Sequence, residues 1–393
     1  MVIKEGYKQT EIGVIPNDWE VKSLGDIAFV LGGGTPSTNI NSYWNGDINW
    51  FTPTEIGSKK YSYESIRKLT KLGFENSSSK ILPVGTILLT SRAGIGDISI
   101  LMNEGCTNQG FQSLVAKKDV HNEFLYYLVS TLKSILLQNA SGSTFLEISP
   151  NKVKSIEIVL PSLTEQTAIA KALSDADGLI TGLEKLIAKK RNIKQGVIQQ
   201  LLKPKEGWMN NEIGNVFQFR QGVQCAIEKQ STEDSIGLKR FIRIVDLSQT
   251  KEIPRYINDP GLSHHIKKTD LFMVRYGNPG LLGYGYDGVI ANNLFRLIPK
   301  IRIESNFFYY LLYSKNEDIL QLSSSTTMAA LNFTSLKILK LDYPKSLSEQ
   351  TRIAKILSDM DGELSALEQK LEKYKKVKLG MMQELLTGKT RLV

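Results

Sequence analysis

Residues 165–178 read EQTAIAKALSDADG, and residues 349–362 read EQTRIAKILSDMDG. The offset of 184 persists to the end of both segments, where VIQQLL at 197–202 matches MMQELL at 381–386. Between 165–205 and 349–389, 20 of 41 aligned positions are identical. Solenoid units run to about 20–50 residues, so a period this long implies one globular part plus a helix, copied once.

The repeated segment carries the spacing of a helix that packs lengthwise on another. In the first copy Ile169, Leu173, Ala176, Ile180, Leu183 and Ile187 alternate steps of four and three. The second gives Ile353, Leu357, Met360, Leu364, Leu367, Leu371 and Tyr374, then Met381 and Leu385 beyond a polar step at Lys378. This is an a/d seam. Thr164 and Ser348 are expected to cap the helix starts, because a hydroxyl there accepts a free backbone N–H. Pro204 and Gly388 mark the ends, giving rods on the order of 58 Å at 1.5 Å per residue. The simplest partner for each helix is the other. Connectivity then makes the pair antiparallel, with a pseudo-twofold relation between the copies.

The globular parts correspond more weakly. Trp19, Leu24 and Gly25 match Trp208, Ile213 and Gly214. Residues 90–94 align with 273–277, placing Arg92 near Arg275, and Asn108 pairs with Asn292. Tyr126-Tyr127-Leu128 matches Tyr309-Tyr310-Leu311. Each part is expected to be α+β, with strands at 86–90, 112–116 and 156–160 in one and 241–245, 271–275 and 294–298 in the other. One amphipathic helix is expected in each, near 122–138 and 305–321. The resulting division is 1–160, 161–205, 206–343 and 344–393: domain, helix, domain, helix.

The net charge of +9 invites a nucleic-acid reading. Residues 1–160, however, hold 15 basic and 15 acidic side chains, and the excess lies mainly on the two helices. A charged helix face is commonly just a solvated one. Cys106 and Cys225 lie in different halves without metal or redox spacing. The N-terminus lacks an apolar signal core, and no apolar run approaches the roughly 18 residues of a membrane span, so a cytoplasmic location is expected.

Catalytic motifs fail on context. Gly32-Gly33-Gly34 lacks the Gly-Lys-Ser/Thr of a phosphate loop and reads as a turn needing positive φ. The glycine-rich 277–288 segment precedes no Asn-Pro-Pro-Tyr/Phe motif, and three histidines supply neither a zinc set nor a triad. No catalytic or metal site is expected. The loops instead hold side chains suited to base edges and phosphates. The candidates are Thr35, Ser91, Arg92, Asn108, Gln109, Ser143 and Thr144 in the first domain. In the second they are Arg275, Tyr276, Asn292, Asn293, Thr326 and Thr327. Trp44, Trp50, Tyr284 and Tyr286 are suited to pack on sugars or flank bases, or to serve as core.

The proline-led Leu-Thr-Glu-Gln-Thr-Ala-Ile-Ala at 163–170 and Leu-Ser-Glu-Gln-Thr-Arg-Ile-Ala at 347–354 resemble helix starts in the specificity subunit of type I restriction–modification enzymes. The endings at 199–202 and 383–389, and the opening Tyr7 to Pro16 before Trp19, are similar to that family too. The resemblance implies a non-catalytic subunit in which each recognition domain binds one half of an asymmetric, bipartite site on double-stranded DNA. It implies helices that act as spacer and as dock for two modification subunits, with restriction subunits joining that core. Glu165, Gln166, Lys194, Glu349, Gln350 and Lys378 become docking candidates; Lys194 and Lys378 on the seam mark either a dock or a local break. S-adenosylmethionine, ATP and magnesium are implied for the partners and no cofactor for this chain. A coiled-coil scaffold that never touches DNA is the alternative.

Overall fold

A computed structural model describes residues 4–92, 94–142, 146–248, 252–323 and 329–392. The chain forms two compact units, residues 1–184 with 370–393, and residues 185–369. Each takes one globular domain and part of both long helices.

Those helices are Leu163–Leu201 and Leu347–Leu385, 39 residues each. Their caps lie two residues earlier than expected. Ser162 Oγ accepts from Glu165 N at 3.3 Å, and Ser346 Oγ from Glu349 N at 3.4 Å. Thr164 and Ser348 are therefore inside the first turn, because Ser162 and Ser346, closer to the prolines, reach the free amides first. In each unit the helices pair antiparallel. Lys378 meets Asp177 and Lys375 meets Glu184 in the first, while Lys194 meets Asp361 and Arg191 meets Glu368 in the second.

In the first unit a five-stranded sheet runs in the order Ala28–Gly32, Gln112–Ala116, Ile87–Leu89, Ile98–Leu101, Tyr61–Ser62. Ala28 pairs with Ala116 and Gly32 with Gln112, antiparallel. A second sheet sets Gly105–Thr107 parallel to Trp44–Phe51. The expected single helix is two, Asn122–Ser130 and Lys133–Gln138. Phe124, Leu125, Tyr127 and Leu128 pack on Ile87, Leu89, Ile98 and Leu114, and the same core takes in Ile169 and Leu173 of the central helix and Leu385 of the distal one.

The second unit repeats the plan. Phe217–Gln221, Leu294–Pro299, Leu271–Val274 and Leu282–Gly283 form one four-stranded sheet. Its helices are Ser305–Ser314 and Asn316–Gln321, again two where one was expected. Its core joins Phe307, Phe308, Tyr310 and Leu311 to Ile353 and Leu357 of the distal helix and Ile198 of the central one. The expected strand at 241–245 is Leu238–Ile242, and Ile244–Ser248 turns into a short helix. Asp246 causes this: it accepts from Arg243 N at 2.7 Å and is gripped by Arg240 and Arg243.

Each domain begins and ends on one strand pair. Glu20–Ser23 lies antiparallel to Glu157–Leu160, and Trp208–Glu212 to Lys340–Pro344. In each domain the later strand of that pair runs directly into a long helix, Leu160 into Leu163–Leu201 and Pro344 into Leu347–Leu385.

Candidate nucleic-acid interface

Four loops converge in the first unit. Gly34 N donates to Thr107 O at 2.9 Å, Ser91 N to Gly110 O at 2.7 Å, and Ile148 N to Ser91 O at 3.2 Å. Gly33 and Gly34 have no positive φ, which corrects the turn reading. A Cβ on Gly33 would lie 2.1 Å from Thr107 O, and one on Gly34 2.2 Å from Ser78 Oγ, so these glycines allow backbones to touch. At the junction Thr35 Oγ1 donates to Gln109 Oε1. Asn108 Oδ1 accepts from Gly110 N at 2.8 Å.

The same junction exists in the second unit. Val223 N donates to Ile290 O, Arg275 N to Asn293 O and Leu331 N to Arg275 O, at 2.9, 2.8 and 3.0 Å. Gln221 Nε2 donates to Asn292 O, and its Oε1 accepts from Arg275 Nη1 at 2.9 Å. These bonds align Arg275 with Ser91, and hence Tyr276 with Arg92, and they align Asn293 with Gly110, and hence Asn292 with Gln109 and not Asn108; both side-chain matches are off by one residue. Backbone pairing fixes position; the shared arginine is coincidental.

The candidates divide by exposure. Thr35, Gln109 and Asn292 are exposed. Arg92, Asn108, Arg275, Tyr276 and Asn293 are half-buried, and Ser91 is buried. Arg92 Nη2 lies 2.8 Å from Glu147 Oε1, so its charge is partly matched. Arg275 has no carboxylate partner among the described residues; its guanidinium lies 4.2 Å from the Phe333 ring centre and 4.8 Å from that of Tyr276. Ser91 Oγ, Arg92 Nε and Asn293 Oδ1 are shielded polar atoms without a hydrogen-bond partner among the described residues. Such atoms are uncommon in folded proteins and suit a surface that hydrogen-bonds a ligand. Ser143, Thr144, Thr326 and Thr327 lie outside the described residues.

Trp44 and Trp50 are core, stacked edge-on at 5.0 Å with Arg67 over Trp44 at 3.6 Å. Tyr284 packs on Tyr309, and Tyr286 donates to Asp246 O at 3.0 Å. Among the described residues, no group of three or more His, Cys, Asp or Glu is placed to hold a metal ion, and no helix is long and apolar enough to cross a membrane.

The docking candidates are engaged internally. Gln166 Oε1 accepts from His121 N at 2.9 Å while its Nε2 donates to Pro161 O; Gln350 does the same with Glu304 N and Pro344 O. Each glutamine thus ties a long helix to the start of its domain's helix. Glu165 is fully buried, taking Trp19 Nε1 at 2.9 Å and Arg391 Nε at 2.6 Å. Lys194 and Lys378 are spent on Asp361 and Asp177. Glu165, Gln166 and Gln350 are buried at the helix starts, and Lys194 and Lys378 are half-buried between the paired helices. Glu349, half-buried, keeps its carboxylate without a cation among the described residues. Sequence reasoning missed Gln221, Glu147, Asp18 and Arg391, none of which repeats at the 184 offset.

Comparison with known proteins agrees with this arrangement. The family described as type I restriction modification DNA specificity domain matches residues 16–195 and again 205–377. A putative type I restriction enzyme MjaX specificity subunit from Methanocaldococcus jannaschii is 31% identical over 433 aligned positions, covering 99% of this chain and 97% of that protein. The MjaIX specificity subunit of the same organism is 45% identical over 183 residues, 46% of this chain and 42% of the relative. The crystal structure of a type I restriction–modification S subunit from M. genitalium superposes with a TM-score of 0.62 at 16% identity, covering 98% of each chain. The chain therefore belongs to the DNA specificity subunits of type I restriction–modification systems.

Proposed function

We propose that each unit's loop junction reads one half of a two-part DNA site, and that the chain directs modification subunits to that site without performing chemistry itself. The observation that carries this is the same four-loop junction built twice, with different side chains presented at each: Thr35, Gln109 and Arg92 in one, Asn292, Tyr276 and Arg275 in the other. Gln and Asn suit adenine edges and Arg suits guanine, so unlike sets imply unlike half-sites. Two modification subunits dock along the paired helices, and restriction subunits join through them. S-adenosylmethionine, ATP and magnesium belong to those partners. The neutral first domain leaves much of the phosphate affinity to them as well.

The test is co-purification with the neighbouring adenine methylase, followed by genome-wide mapping of adenine methylation with the gene present and absent. A bipartite motif that disappears with the gene supports the reading. Methylation that persists without the gene rejects it and favours the scaffold.

A further inference from the structure

A tyrosine–aspartate–lysine trio occurs in both units with the same atoms in the same roles; in the first, Lys60 Nζ also donates to Tyr127 OH at 2.7 Å and lies 3.9 Å from Asp177 Oδ2. In the first, Tyr127 OH donates to Asp177 Oδ2 at 2.6 Å and Lys378 Nζ pairs with Asp177 Oδ1. In the second, Tyr310 OH donates to Asp361 Oδ2 at 2.6 Å and Lys194 Nζ pairs with Asp361 Oδ1. Each lysine also lies 5.5 Å from the centre of its tyrosine ring. The tyrosine belongs to the domain helix, the aspartate to one long helix and the lysine to the other.

We propose that these two clusters set the register of the paired helices, and thereby the gap between half-sites that the protein accepts. The second clause rests on the function proposed above. An apolar seam with a seven-residue period can slide by one heptad and still match apolar to apolar; polar groups placed in it exclude such alternatives. A one-heptad slide carries Lys378 about 10.5 Å from Asp177, beyond any ion pair. The tyrosine adds a third constraint, because its ring is packed in the domain core and its hydroxyl cannot follow. Lys190–Glu363, Arg191–Glu368 and Lys375–Glu184 are more open to solvent and specify less. Partly buried ion pairs such as these add little net stability, so specificity is the better reason for two of them. Both charged positions are among the 20 identical pairs of the repeat, although the other 21 of the 41 differ.

The test replaces Asp177, Lys378, Asp361 and Lys194 together by leucine in the full chain, in a Cys225→Ser background. Register is read by disulfide trapping of Glu184→Cys with Lys375→Cys, the native neighbours, and of Glu184→Cys with Met382→Cys, one heptad displaced. The parent should trap only the native pair. The leucine variant should fold with unchanged helicity and trap both; trapping of the native pair alone overturns the proposal. If the leucine variant does not fold, Asp177→Asn with Asp361→Asn decides in the same way. In complex with the methylase, the parent should methylate targets of one gap length, and the variant should also accept targets whose gap differs by about three base pairs, the span of a slide of about 10.5 Å at about 3.4 Å per base, with both half-sites unaltered. A strict gap with relaxed trapping overturns the second clause only. A parent that confers no sequence-specific methylation counts against the proposed function and leaves the register result standing.

Discussion

Arg275 is held by Gln221, by Leu331 O at 3.3 Å and by two aromatic faces, whereas Arg92 answers to Glu147. The two arginines should therefore respond differently. Glu147→Gln frees Arg92 for phosphate and should steepen the dependence of DNA affinity on salt by about one unit of log–log slope. Binding titrations of the methylase complex between about 50 and 200 mM salt would show it. Asp246 makes a second residue-level case. Burial pushes its carboxyl up, but hydrogen bonds from Arg240 and Arg243 outweigh this and hold it below the ordinary value. Its folded-state value thus lies below the unfolded one of about 3.9, so its stabilisation is complete above that pH and is lost as pH falls through the folded value. Asp246→Asn should flatten the acid limb of urea midpoints measured against pH. None of this was legible in the sequence. Arg243 reads as part of a strand at 241–245 because Ile242, Ile244 and Val245 surround it, and only the folded neighbours turn the chain there.

The long helices were legible because a seam of period 3.5 survives in any context, and only their caps were misplaced, by less than a turn. The domain helices were harder: they break at Thr131–Leu132 and at Lys315, with no proline or glycine to announce it. Arg391 shows what a repeat conceals. It binds Asp18 at 2.8–2.9 Å and the buried Glu165, while the position 184 residues earlier is Gly207. Arg391→Met should cost about 3 kcal/mol, since it leaves a buried carboxylate unpaired, and Glu165→Gln should recover much of the loss. Calorimetric melting of the single and double variants would check both. The tyrosine clusters give an alkaline signature. Burial first, then the bonds to Asp177 and Asp361, push the Tyr127 and Tyr310 hydroxyls well above the ordinary range. Their stabilisation should hold below about pH 10 and fall as pH rises further, and Tyr127→Phe with Tyr310→Phe should flatten that fall in urea midpoints.

At the scale of the molecule, the duplication explains why one chain holds two junctions with equivalent backbone hydrogen bonds and different side chains. The helices stayed alike because each copy must satisfy the same seam, the same glutamine tie and the same Tyr-Asp-Lys cluster. The loops carry no such constraint and diverged, which is why the reading side chains were the least legible part: Arg92 and Arg275 look equivalent in sequence and are one residue apart in structure. The central claim is that each unit reads its own half-site. Exchange of residues 206–343 for those of another member of the family, followed by genome-wide mapping of adenine methylation, tests it most directly. The account predicts a motif with one half replaced and the other half unchanged. A motif changed in both halves, or in neither, would contradict it.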